Sequence, residues 1–242
     1  FMLTEEAHHM FVGASGVRRT IKRTCEAMKE AGIEDPYDVA AIRSLNVIDL
    51  PTMQKKVNLH YTLSLDLFGS EISTNAANTY NASLKGRYRE DRLLDDHRLL
   101  DATYPVLKLV DHTAKLIDEP ALTALNMRLR DDYSDDALAG IQRWNREIAR
   151  AGIDFEIKLP HVTFNRAIGQ FAGIKATPEG EFISAADWTM QHGDWLPSPG
   201  DGDFIASLME KVTEPGHYAG WIAPPREGID NKPTDYEYVR IH

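Results

Sequence analysis

Along the first part of the chain apolar residues return every three or four positions, and that spacing predicts one long helix over 3–31. Gly32 follows as its stop. One face of that helix carries Met2, Glu6, His9, Gly13, Gly16 and Thr20, and another carries Met10, Val17, Ile21 and Met28. Arg18, Arg19, Lys22, Arg23, Lys29 and Glu30 cover much of the outside. Glu34-Asp35-Pro36 predicts a short helix over 36–45 with Pro36 in its first turn. Leu50-Pro51 opens another over 51–68, although the alternation from Leu59 to Leu67 would also suit a strand. A helix rich in Asn and Ala is expected over 72–88. From 99 to 130 the pattern reads as helical, interrupted at Pro105 and Pro120. Ser134 is placed as the N-cap of a helix over 135–151, which Gly152 ends.

After Gly152 the pattern changes. Phe155 to Leu159 alternates like a half-buried strand, and Val162 to Phe164 and Ile174 to Ala176 read as extended. Thr177-Pro178-Glu179-Gly180 is the turn of a hairpin leading to Phe182-Ile183, and short helices follow near 184–191 and 201–211. The tail is broken by Pro215, Pro224, Pro225 and Pro233. It carries Tyr218, Trp221, Tyr236 and Tyr238, and is expected to wrap over the surface, anchored by those rings. The expected fold is mainly α, with a helical region over 1–152 and a smaller α+β or irregular region over 153–242.

The 242 residues are enough to bury a core, and 43% apolar with 26% charged residues is ordinary for a globular protein. A net charge of -10 argues against non-specific nucleic-acid binding. Cys25 is the single cysteine, so no internal disulfide forms and a reducing cytoplasm fits. No apolar run reaches the roughly 20 residues needed to span a bilayer, so no membrane association is expected.

Candidate chemistry begins at Glu5-Glu6-Ala7-His8-His9-Met10, which holds two overlapping Glu-x-x-His pairs, Glu5/His8 and Glu6/His9. On a helix, residues three apart share a face, so a carboxylate and an imidazole can bind one metal ion. A bare Glu-x-x-His is a weak signal, and a polar helix start explains it equally. Gly13 and Gly16 each cost about 1 kcal/mol against alanine in a helix interior. They serve either close helix packing or room for a substrate near a metal. Lys85, Arg87, Arg89 and Arg92 are either a solvated charge run or a clamp for phosphates. Asp131, Asp135 and Asp136 lack EF-hand spacing and read as capping and solvation.

The string Glu5 to Met10 resembles the last ligand helix of bacterial multicomponent monooxygenases and ribonucleotide reductase small subunits. In that register Glu6 and His9 are iron ligands and Glu5 is an acid that hydrogen-bonds a ligating histidine; the register Glu5/His8 stays open. The segment Phe164-Asn165-Arg166-Ala167-Ile168-Gly169-Gln170-Phe171-Ala172-Gly173 is more specific. So are the ending Val212 to Pro225 and Tyr236-Glu237-Tyr238-Val239-Arg240. Together they resemble the oxygenase component of benzoyl-CoA 2,3-epoxidases, in its C-terminal half. The resemblance implies part of a ferritin-like bundle with a di-iron centre, whose other ligands are expected upstream of Phe1. It implies benzoyl-CoA and O2 as substrates, epoxidation of the aromatic ring, and electrons from NADPH through a separate flavin and iron–sulfur reductase. Alternatives are another di-iron oxygenase or radical-generating subunit, or a metal-free helical subunit of such a complex.

Overall fold

A computed structural model describes residues 2–68, 102–110, 113–169, 171–212 and 217–225, with residues 2–8 seen in backbone only. The expected helix over 72–88 and the cation run Lys85 to Arg92 lie outside the described residues. Among those described the fold is mainly helical. In chain order the elements are α1 (Met2–Ala31), α2 (Val39–Arg43), α3 (Leu50–Leu67), β1 (Thr103–Val110), β2 (Thr113–Pro120), α4 (Ala121–Ala151), α5 (Ala185–Trp195) and α6 (Pro199–Ser207). Two compact units result. One comprises Phe1–Leu59, Leu138–Leu159 and Ala186–His242; the other comprises His60–Ala137 and Pro160–Ala185. No described helix is long and apolar enough to cross a membrane.

In the first unit, α1, α3 and the end of α4 share a core of Ile21, Cys25, Ile48, Leu50, Met53, Ile141, Ile148 and Ile157. α1 and α4 stop where the sequence places glycine: Gly32 and Gly152 take φ of +69° and +72°, which a side chain would disfavour. Beyond each stop an apolar residue, Ile33 or Ile153, donates its N–H back to Met28 or Ile148 and packs on the core.

α2 is shorter than the expected 36–45. Asp38, rather than the turn at Pro36, caps it, accepting from the Ala41 N–H at 3.0 Å. Between α2 and α3 lies a buried charge network. Asp49 accepts from the Thr52 N–H at 2.7 Å at the start of α3. Its side chain is fully buried, and Arg43 Nε reaches it at 2.8 Å. The same guanidinium bonds Thr52 and Asp201, and Asp201 forms a capping box with Ser198 at the start of α6.

Phe155 to Leu159 does alternate, with Ile157 buried and Glu156 and Lys158 exposed, but no strand among the described residues pairs with it. Two side-chain amides take the partner's place. Asn145 accepts from the Ile157 N–H at 2.9 Å and donates to its carbonyl at 2.8 Å. Gln54 does the same for Lys158, at 2.8 Å each way.

In the second unit the stretch 99–130, expected to be helical, divides at Pro120: an antiparallel hairpin spans Thr103–Pro120, and the helix expected after Pro120 is the start of α4. The hairpin's register runs from Thr103↔Pro120 to Val110↔Thr113. Thr103, Val106, Val110, Thr113 and Ile117 are β-branched and favour the pleat. Pro105 is tolerated because both strands of a two-stranded sheet are edges. Ser134 is not an N-cap. It sits inside α4, donating to the Arg130 carbonyl at 3.0 Å and accepting from the Tyr61 hydroxyl at 2.9 Å. Phe164 is fully buried, and Arg166, its side chain wholly buried, pairs with Asp66 at 2.7 Å. The turn at Thr177–Gly180 closes a single antiparallel bridge, Ala176↔Phe182, as the hairpin reading expects.

Arg43→Met would leave Asp49 charged, buried and without its cation, and should cost about 3 kcal/mol, read as a lower urea midpoint. Burial alone would raise the Asp201 carboxyl. The Ser198 N–H, Arg43, the Ser198 hydroxyl and Lys55 outweigh it and hold the group at about 2, below its ordinary 3.8. The native state then binds fewer protons than the unfolded one, so this stability is complete above about pH 4 and lost as pH falls toward 2. Asp201→Asn should flatten the stability–pH curve in that window by about 2 kcal/mol.

Candidate metal centre on the first helix

The 30-residue helix α1 changes environment along its length. From Thr20 onward it is built into the core: Thr20, Ile21, Thr24, Cys25, Ala27 and Met28 are buried, and the Thr24 hydroxyl donates to the Ile48 carbonyl at 2.7 Å. Between Ala14 and Arg23 it is held by polar contacts. The Trp144 indole on α4 donates to the Ala14 carbonyl at 3.1 Å, and Arg18 pairs with Glu147 at 3.8 Å. Further toward its start the helix emerges. His9 and Gly13 are exposed, and Met10, Phe11 and Val12 are 66%, 70% and 51% exposed.

Helical geometry relates the candidate ligands to that core. At 3.6 residues per turn, each residue is rotated by about 100° from the last. Positions 6, 10, 13 and 17 then fall on the side that Ile21, Thr24 and Met28 bury, with position 9 at one border of it. Position 8 falls on the opposite side, and position 5 lies beyond the border. Position 6 is thus in line with the core face and position 9 at its border, while positions 5 and 8 lie outside it.

The other predicted site residues are placed as follows. A Cβ built on Gly13 or on Gly16 would meet nothing within 4 Å, so neither glycine serves packing among the described residues. Arg87 and Arg89 lie outside the described residues. Among the described residues no three His, Cys, Asp or Glu side chains come together in a group that could hold a metal ion.

Arg19 and Arg23, which the sequence reading assigned to the solvent face, instead hold the tail. Arg19 Nε donates to the Ala223 carbonyl at 2.6 Å and Arg23 Nε to that of Gly220 at 3.2 Å. Arg19 also lies over the Tyr218 ring, 5.7 Å from its centre. Trp221 packs against the first core, so the described part of the tail is anchored by its rings as expected. The signal available in the sequence was the aromatic residues facing two arginines one helical turn apart.

No protein-family model matches the chain. Over all 242 residues it is 51% identical to the benzoyl-CoA oxygenase component B of Aromatoleum evansii. It spans 50% of that relative's length. The resemblance read from the strings at Glu5, Phe164 and Val212 therefore extends along the entire chain.

α1 carries one further group with intrinsic reactivity, Cys25. Burial first, then the charges of Glu147 and Glu26, push its thiol up to about 12. The thiolate is the reactive and metal-binding form, so Cys25 is a packing residue. Ellman's reagent should titrate no thiol in the native chain and one in urea.

Proposed function

We propose that this chain forms part of an oxygenase component acting on benzoyl-CoA, with α1 contributing Glu6 and His9 to a di-iron centre in a ferritin-like bundle. The identity of 51% over the whole chain carries the oxygenase reading. Position 6 lies in line with the buried face of α1 and position 9 at its border, nearer to it than positions 5 and 8, which supports the choice of ligand pair, since bundle metal sites are built from inward-facing side chains.

The donor types fit iron: a carboxylate and an imidazole suit Fe(II) with open positions. Their number does not complete a site. Two ligands do not hold two irons, and no third donor gathers with His9 among the described residues. The remaining ligands are assigned to the half of the relative's length that this chain does not span, and the chain on its own is expected to be inactive.

When bound, such a centre supplies activation of O2 for insertion of one oxygen atom across the 2,3 bond of the benzoyl ring. The electrons are assigned to NADPH through a separate flavin and iron–sulfur reductase, in keeping with a relative named as one component of several. The chain's own residues divide the remaining work. Glu6 and His9 hold metal. Glu5 hydrogen-bonds a ligating histidine and fixes its tautomer. Gly13 and Gly16 leave space beside the pair. Arg87 and Arg89 are the cations assigned to the CoA phosphates. A cytoplasmic location is consistent with a single, buried thiol.

The test is iron content in the chain assembled with a polypeptide corresponding to the unmatched half of the relative. Glu6→Ala and His9→Ala should each abolish most bound iron and epoxide formation, while Glu5→Ala should keep most of the iron and lose part of the rate. Full iron in Glu6→Ala with loss in Glu5→Ala would move the ligand pair to Glu5/His8. Full iron in all three would remove α1 from the metal site.

A further inference from the structure

The hairpin β1–β2 of the second unit carries its apolar residues outward. In an antiparallel pair, alternate residues share a face, and so do residues directly opposite each other. The register Leu107↔Leu116 and Pro105↔Asp118 therefore sets Pro105, Leu107, Ala114, Leu116 and Pro120 on one face, with Asp118 as its charged position. Every one of these is exposed, and the central leucines are 67% and 72% exposed. The opposite face holds Lys108, Lys115 and Glu119. There Lys108 and Glu119 are partly buried and paired at 2.6 Å. An antiparallel sheet with one covered side ordinarily turns its apolar face inward and its charges to water. This one does the reverse, with an ion pair on the partly buried side and two leucines in solvent. A two-stranded ribbon is moreover marginal by itself and needs a third strand or a helix packed on it.

The size of the face selects its occupant. Eight residues of strand span about 26 Å and two strands about 10 Å, which gives a face of roughly 260 Å². A stable complex of separate proteins buries about 800 Å² on each partner, so this face alone holds neither a second copy nor a free protein. A segment of the same polypeptide meets no such threshold, because the chain itself sets its effective concentration. The relative is twice the length matched here. A helix is about 10–12 Å across, and about 17 residues of it run the length of these strands. With an acid and no cation, the face offers nothing to an anionic membrane surface. We propose that the face of Leu107 and Leu116 is the docking surface for one amphipathic helix from the part of the oxygenase chain that lies outside the match. That helix lies along the strands, with its apolar side on the two leucines and its polar side in water. The contact is made on a sheet, apart from the helix bundle to which α1 is assigned, and it rests on the similarity to the relative rather than on iron.

Thiol labelling tests this without metal, in the chain alone and in the chain co-produced with a polypeptide corresponding to the unmatched half of the Aromatoleum evansii component. Cys25 is buried, so a maleimide reads an introduced thiol. Leu107→Cys and Leu116→Cys should label about tenfold or more slowly in the complex, as groups shielded by a stable contact do. Lys115→Cys, exposed on the opposite face one residue from Leu116, should label at one rate in both. Adding Leu107→Asp to Leu116→Cys should restore the rate of the isolated chain within the complex, because an unpaired carboxylate beneath an apolar helix keeps it from seating. Equal labelling of the two leucine positions in both states, equal slowing at Lys115→Cys, protection that survives Leu107→Asp, or absence of any complex would each overturn the proposal. So would protection of the isolated chain that grows with its concentration, the mark of a second copy. Protection of both leucine positions in a complex that binds no iron would support the docking and count against Glu6 and His9 alone.

Discussion

Burial of one stripe of α1, from Thr20 to Met28, is the constraint on which the first unit turns. An α-helix is stiff over these lengths, so fixing the rotation of its second half fixes the azimuth of every residue before it. Packing Ile21 and Cys25 against Ile48, Leu50, Met53, Ile141 and Ile148 therefore also decides where positions 6 and 9 fall around the axis. The geometry of the candidate site is inherited from a core about three to six turns away, which contains none of its ligands.

Polar groups complete what the apolar core leaves unsolved. Irregular segments carry backbone N–H and C=O groups that must be matched when buried. Asp49, Arg43 and Asp201 join the start of α3 to that of α6, and Arg19 and Arg23 hold the carbonyls of the tail. The contacts of Arg43 with Asp201 and of Arg19 and Arg23 with the tail link residues far apart in the chain, and each depends on a charge that is individually unremarkable in sequence.

That distinction explains what could be read in advance. α1, α3 and the ends at Gly32 and Gly152 are written in local periodicity and in glycine, so they were legible. The hairpin over Thr103–Pro120 was not, because Pro105 and Pro120 dominated a reading in which the β-branched residues should have weighed more. Ser134 misled for a related reason. A hydroxyl next to acids has the chemistry of a cap, and only its tertiary partner, Tyr61, shows that the helix passes through it. The Glu-x-x-His pairs were visible as pairs, but which of them lies nearer the buried face of α1 is set by the tertiary core and not by the string itself.

The amide clasps on Ile157 and Lys158 bear on aggregation. An extended, alternating segment with free backbone edges is a template for another strand, from the same molecule or a neighbour. Asn145 and Gln54 each present one donor and one acceptor at a fixed height on a helix, which is what a peptide unit would offer. They occupy the hydrogen-bonding positions an intruding strand would need and lock the segment against sliding by two residues, the shift that alternation by itself permits. Sequence alternation that invites strand addition is thereby made safe by two carboxamides, and slow deamidation of either one would convert a donor into an acceptor and reopen that edge.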